Sequence, residues 1–145
     1  MAKDVEKRNM QEGALKCEIK LSSDFTDGRV EITLPVRTVS EMNCTEHWTK
    51  KHKRHRIQQK TVALALNPIK CKIGFPCHIK LTRYAPRKLD KHDNLPISMK
   101  YILDACCAII TGDHRPGRAD DDERISISYD QIQSSDYIVK VLFTF

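Results

Sequence analysis

No run of apolar residues in this 145-residue chain approaches the roughly 18 that cross a bilayer, so no membrane span is expected. The opening Met1-Ala2-Lys3-Asp4-Val5-Glu6-Lys7-Arg8 lacks the apolar stretch of a secretory signal, and an intracellular, cytoplasmic protein is the expectation. Six cysteines are present, but none forms a C-x-x-C pair and their spacings fit no zinc ribbon or finger. Cys71, Cys77 and His78 come nearest to a ligand cluster, yet Cys77 and His78 would point to opposite faces of a strand; reduced structural thiols are expected. The chain also has no Gly-rich phosphate loop, no G-x-S-x-G, no H-E-x-x-H and no internal repeat. Those absences remove the P-loop, nucleophile-elbow and zincin chemistries and the repeat folds.

What is there is charge. Twenty-five Lys and Arg stand against 19 Asp and Glu, a net charge of +6, which favours an anionic partner. The length suits one core and is short for two domains. Residues 1 to about 15 are polar and without periodicity and read as a loose extension, leaving 16–145 as a single domain.

Along that domain, Cys17, Ile19 and Leu21 alternate with charged residues, as do Val30, Ile32 and Leu34, which predicts two antiparallel strands. Asn43 followed by Glu46 resembles a capping box, so a long helix is expected from Cys44 or Thr45 to Leu66, stopped ahead of Pro68. Its middle, Lys50-Lys51-His52-Lys53-Arg54-His55-Arg56, packs five positive charges and two histidines into seven residues. Trp48, His52, His55, Gln59, Val62 and Leu66 form one stripe that is apolar only at its ends. The C-terminal half of the helix should therefore dock on the core while the basic half projects or lines a groove. Charges on every side of one helix repel unless counter-charges or an anionic polymer relieve them, which points to nucleic acid.

Cys77 to Tyr84 alternates as a strand, with Cys77, Ile79 and Leu81 on one face. It runs through Arg87 and Lys88 into Asp90 and Asp93. A helix from Pro96 to about Ile110 should follow, capped by Asp93 or Asn94 and ended by Gly112. It would carry Ile102, Ala105, Cys106 and Ile109 inward, with Lys100 and Asp104 one turn apart on a neighbouring face. Carboxylates gathered beside a Lys suit a hard divalent cation acting on phosphate, and one acid of Asp120-Asp121-Asp122-Glu123 could complete the cage. The segments Arg124–Tyr129 and Tyr137–Phe145, joined by Gln133-Ser134-Ser135-Asp136, predict an antiparallel hairpin whose last strand, apolar on both faces, is either central or buried at an oligomer interface.

Asp93-Asn94-Leu95, Lys100, Asp104 and Asp121-Asp122-Glu123-Arg124-Ile125 occur in an order that resembles the acidic signature of the RusA-type Holliday junction resolvases, endodeoxyribonucleases common in phages and prophages. Ile32-Thr33-Leu34-Pro35, Ser40-Glu41-Met42-Asn43 and Glu46-His47-Trp48 resemble the start of phage members. The likeness covers about residues 30 to 145. It implies Asp90, Asp93 and Asp122 as catalytic carboxylates holding Mg²⁺ (or Mn²⁺), with Lys100 and Asp104 the matching lysine and helix acid. It further implies a homodimer nicking four-way DNA junctions symmetrically in a bacterial or phage-infected cell. Lys50, Lys51, Lys53, Arg54, Arg56, Lys60, Arg83, Arg87 and Lys88 would hold the DNA backbones. Two spacings depart from the signature: Asp90 to Asp93, and Asp93 to Lys100. These departures are the best argument for the alternative to the nuclease, a catalytically inactive DNA-binding protein of the same fold; a structural phage protein with a solvated acidic loop is a further rival. The expected architecture is α+β, a mixed sheet with a long basic helix and a shorter helix carrying the acidic site.

Overall fold

The computed structural model describes residues 18–21, 28–115 and 117–145, so the expected loose extension and the turn after Leu21 lie outside the described residues. The fold is α+β, a single small domain whose five-stranded mixed sheet carries its helices on one face. Strands β1 (Glu18–Leu21), β2 (Arg29–Leu34), β3 (Cys77–Ala85), β4 (Ile125–Gln133) and β5 (Ile138–Thr144) lie in the order β1-β2-β5-β3-β4.

Alternation along the strands builds the core in rows. Val30 pairs with Phe143, Phe143 with Ile79 and Ile79 with Ile127; the next row runs Ile32, Val141, Leu81, Tyr129. Most of these side chains are fully buried. The expected pairing of β1 with β2 holds, and β5 is central, one of its two expected placements. The expected hairpin is not formed, however. β4 pairs in parallel with β3, while β5 enters between β2 and β3 and runs antiparallel to both. The connection at Ser134 crosses the end of β3, where the Ser134 N–H donates to the Ala85 carbonyl (2.9 Å). A strand whose core face, Val139, Val141 and Phe143, is wholly apolar is best buried between two neighbours, and that requirement outweighs the local turn signal.

The third row replaces apolar contact with polar anchoring. Leu34 and Val139 continue it, but Arg83 and Gln131 complete it. Arg83, predicted as a DNA contact, is only 4% exposed. Its guanidinium donates to the Thr38 hydroxyl (2.9 Å) and carbonyl (3.3 Å) and to the Arg87 carbonyl (2.7 Å). Gln131 holds both backbone groups of Leu89, accepting from its N–H (2.9 Å) and donating to its carbonyl (2.8 Å). The sheet thus fixes the start of the loop that carries Asp90 and Asp93.

Helix α1 spans Trp48–Leu66, three or four residues later than expected at its start. Asn43 closes a single 3₁₀ turn, Glu41–Asn43, and its amide donates to the Ser40 hydroxyl instead of capping a longer helix. His47 is the N-cap, its Nδ1 accepting from the Thr49 N–H (3.4 Å). The buried face consists of Gln58, Thr61, Val62, Ala65 and Leu66, rotated from the expected stripe, and Gln59 is exposed. The C-terminal half packs on the core and the basic half does not, as its composition requires.

Where one helix was expected after the acidic loop, two form: α2 (Asn94–Ser98) and α3 (Lys100–Thr111). The Ser98 hydroxyl takes the Leu95 carbonyl (2.7 Å), an alternative to continuing the helical ladder, and Met99 leaves helical geometry. Pro96 is accordingly the third residue of α2, not the first of a long helix. Gly112, at φ +74°, ends α3 with its N–H on the Ala108 carbonyl (2.9 Å), as expected. Cys77, Cys106 and Cys107 are buried in the core, free thiols as expected. Burial pushes Cys77 up to about 11 and Cys107 up to about 12, which keeps both protonated.

Arg83→Ala should therefore destabilise the fold by about 1.5–3 kcal/mol, the range for hydrogen bonds removed from a charged group. Urea unfolding measures the effect. The salt dependence of any DNA binding should stay unchanged, because the side chain does not reach a ligand.

Candidate nucleic-acid interface and acidic groove

The basic half of α1 is less self-repelling than its sequence suggests. Glu41, buried under the helix, receives both sides of the Arg54 guanidinium (Nε–Oε1 3.0 Å, Nη2–Oε2 2.9 Å) and sits 3.1 Å from His55 Nε2. Glu46 pairs with Arg54 as well. Burial alone would raise the Glu41 carboxyl, but the hydrogen bonds from Arg54 and His55 outweigh it and hold the group below the usual range. The same acids push Arg54 up. Arg54 is therefore a structural cation and not one of the free DNA contacts expected. Lys50, Lys53, Arg56 and Lys60 remain exposed, and Lys51 is half-buried, its Nζ near the Glu41 carbonyl (3.4 Å). Those cations make a surface suited to a phosphate backbone. Arg87 and Lys88, at the far end of β3, are exposed too.

α1 packs against α3, and the two helices with the loop after α3 enclose a groove of about 740 Å³. Gln59 lines it from α1 and Asn67 from the cap that follows, Lys100, Tyr101 and Asp104 from α3, and Asp120 from the loop. Tyr101 also stacks on His55 (3.5 Å between ring centroids), locking the helices together at the groove edge. Lys100 Nζ lies 3.5 Å from Asp104, one turn apart as expected.

Asp104 is the electrostatic centre of the groove. Burial raises its carboxyl above the usual range; Lys100 opposes the rise and Asp120 adds to it. Burial likewise raises Tyr129 and Cys107, and the charges of Asp104 and Asp120 act on both. Asp104 and Asp120 line the groove, while Tyr129 and Cys107 belong to the core and its margin behind it. The sequence points to the run Asp120–Glu123, and the family resemblance to Asp122 within it. Asp122 points elsewhere: its carboxylate takes the Arg124 guanidinium (2.7 and 3.0 Å) and backbone N–H (3.0 Å), which hold it down at about 2. Asp113 is clamped in the same way by Arg115.

Asp90 and Asp93 are exposed on the loop ahead of α2. The Asp90 carbonyl accepts from the Leu95 N–H (2.9 Å), and Asp93 precedes α2 without a side-chain capping bond. Asn94 anchors this corner to the 3₁₀ turn, accepting from the Ser40 hydroxyl (2.7 Å). Among the described residues, no three His, Cys, Asp or Glu side chains come close enough to share a metal ion. The set Asp90, Asp93 and Asp122 is thus not assembled as one cage. Asp104 and Asp120 share the groove instead, and the charge of Asp120 adds to the rise of the Asp104 carboxyl. Glu41 and Tyr101 carry no local sequence signal, since their partners lie far along the chain.

Among the described residues no helix is long and apolar enough to cross a membrane. No protein-family model matches the chain, and no curated protein matches it.

A carboxyl raised by the fold costs stability once it ionises, so its favourable contribution is present at low pH and disappears as pH rises through the folded value. Asp104→Asn should therefore raise Tm slightly at pH 7, and the gain should vanish below about pH 3.8, where both forms are neutral. Thermal melts of the two proteins across pH 3–8 measure it; a lower Tm at pH 7 would contradict the assignment.

Proposed function

We propose that the chain is a Mg²⁺-dependent endodeoxyribonuclease of the RusA type, cutting four-way DNA junctions as a homodimer. The observation that carries this reading is that two carboxylates and a lysine, Asp104, Asp120 and Lys100, line one groove flanked by a helix of exposed cations. Two carboxylates that repel each other in a half-buried site fit a hard cation that keeps most of its waters. Asp104 and Asp120 are the residues that would hold it, with water completing the shell; Asp93 stands outside the groove, and Asp122, committed to Arg124, does not fit. When bound, the ion would supply an activated water and neutralise charge developing on phosphate.

The chain's own residues do the rest. Lys100 places a positive charge at the mouth of the groove, where it can pair with a scissile phosphate oxygen. Lys50, Lys53, Arg56 and Lys60 on α1 hold the backbone of a DNA arm, while the Glu41 clamp ties that helix to the 3₁₀ turn and the His55–Tyr101 stack ties it to α3. A symmetric junction calls for two such sites related by a two-fold axis. The second reading is a DNA-binding protein that does not cut, and the observation favouring it is that the three implied carboxylates are not gathered together.

A synthetic four-way junction and the matching linear duplex, each with and without Mg²⁺, separate the two. Symmetric nicking of the junction is expected only with the metal. Asp104→Asn and Asp120→Asn should each reduce it by about 10²-fold or more with junction binding retained. Asp122→Asn should cut nearly as well as the parent chain. Binding without cleavage in either Mg²⁺ or Mn²⁺ would favour the second reading, and no binding at low salt would remove both. Replacing Lys50, Lys53 and Lys60 with Gln should lower the slope of log K against log salt by about 2–3, at roughly 0.9 for each phosphate no longer neutralised.

A further inference from the structure

The only tryptophan of the chain, Trp48, is 65% exposed at the first turn of α1. Tryptophan is the largest apolar side chain and is normally well covered. Here it has no place in the core: the buried face of α1 begins at Gln58, nearly three turns further on. Two histidine rings hold its orientation, His47 at 5.8 Å and His52 edge-on at 5.6 Å between centroids. Lys50, Lys53 and Arg56 are exposed along the same half of the helix. The nearest acid in sequence, Glu46, is taken up by Arg54 and so does not repel an anion there.

We infer that Trp48 is a stacking platform for an unpaired nucleobase, and that α1 grips the phosphates on either side of that base. The charge of this half of the helix is what commits it to nucleic acid: an exposed aromatic ring at the head of a run of exposed cations complements a chain of phosphates whose bases are turned outward. Duplex DNA offers no free base face, so the platform distinguishes opened or single-stranded segments from intact duplex. A branch point, where pairing is interrupted, is the substrate this feature fits. The inference rests on the nucleic-acid reading of α1 and gives it a substrate preference; it does not depend on cleavage.

A single tryptophan makes the test direct, because all indole emission comes from Trp48. The full chain is titrated at low salt with a single-stranded oligothymidylate and, separately, with a blunt duplex of equal length. Saturable quenching by the single strand, with little change on the duplex, is expected. Trp48→Ala should weaken affinity for the single strand by about 5- to 100-fold and keep affinity for the duplex, with Trp48→Phe in between. An exposed residue can be replaced without unfolding, which circular dichroism of the variants checks. Binding of both DNAs with unchanged emission, or an equal weakening on both in Trp48→Ala, would overturn the platform and leave the nucleic-acid reading standing. Emission that changes with protein concentration alone would mean that a second copy covers the indole, overturning the platform in favour of a protein interface. Absence of binding to either DNA would overturn both.

Discussion

The central position of β5 is the constraint from which the rest of the structure follows. Val139, Val141 and Phe143 are fully buried, and Lys140, Leu142 and Thr144 on the opposite face are half-covered. A strand of this kind cannot stand at an edge without exposing apolar surface and unpaired backbone. With β2 on one side and β3 on the other, β4 is left only the outer edge of β3, in parallel. A parallel pair needs a crossover, and the residues between β3 and β4 supply it as the acidic loop, α2, α3 and the Asp113–Glu123 loop. That crossover carries every acidic residue of the candidate site. It lies on the sheet face where α1 also packs. The acids and the basic helix are thus neighbours because of how the last strand is buried.

Electrostatics then divides the basic helix by role. Arg54 and His55 turn to Glu41 and bind the helix to the 3₁₀ turn, whose Ser40 in turn holds Asn94 next to Asp93. The exposed lysines and Arg56 are left without a structural task. A buried guanidinium–carboxylate pair is weak support for stability, since desolvation offsets much of the attraction. Its effect here is geometric: it fixes the basic half of α1 to the 3₁₀ turn. Asp104 carries the opposite sign of design. Its charge is disfavoured by burial and by Asp120, a cost that suits a group kept for chemistry.

Much of this was legible in the sequence where the signal is local. The alternation at Cys77, Ile79 and Leu81, the stop before Pro68 and the glycine after Thr111 each act within a turn or a strand, and each lies where expected. Strand order was not legible, because the turn before Tyr137 has the same composition whether it closes a hairpin or steps across β3. Arg83 is instructive. The same alternation that placed Leu81 inward also places Arg83 inward, and its charge concealed this; its acceptors on Thr38 and Arg87 come from segments that no periodicity links. In the acidic run, four like residues in a row give no means of choosing between Asp120 and Asp122. Arg124, two residues on, captures Asp122 and leaves Asp120 for the groove.

The central claim is that Asp104 and Asp120 form a cation site in the groove. Titrating the protein with Mn²⁺ while recording amide resonances tests it without requiring turnover, since the paramagnetic ion broadens signals near where it binds. Broadening centred on residues 104 and 120, displaced by excess Mg²⁺ and absent in Asp104→Asn, is the expected result. Broadening confined to the Asp90–Asp93 loop, or spread evenly over exposed acids, would contradict it.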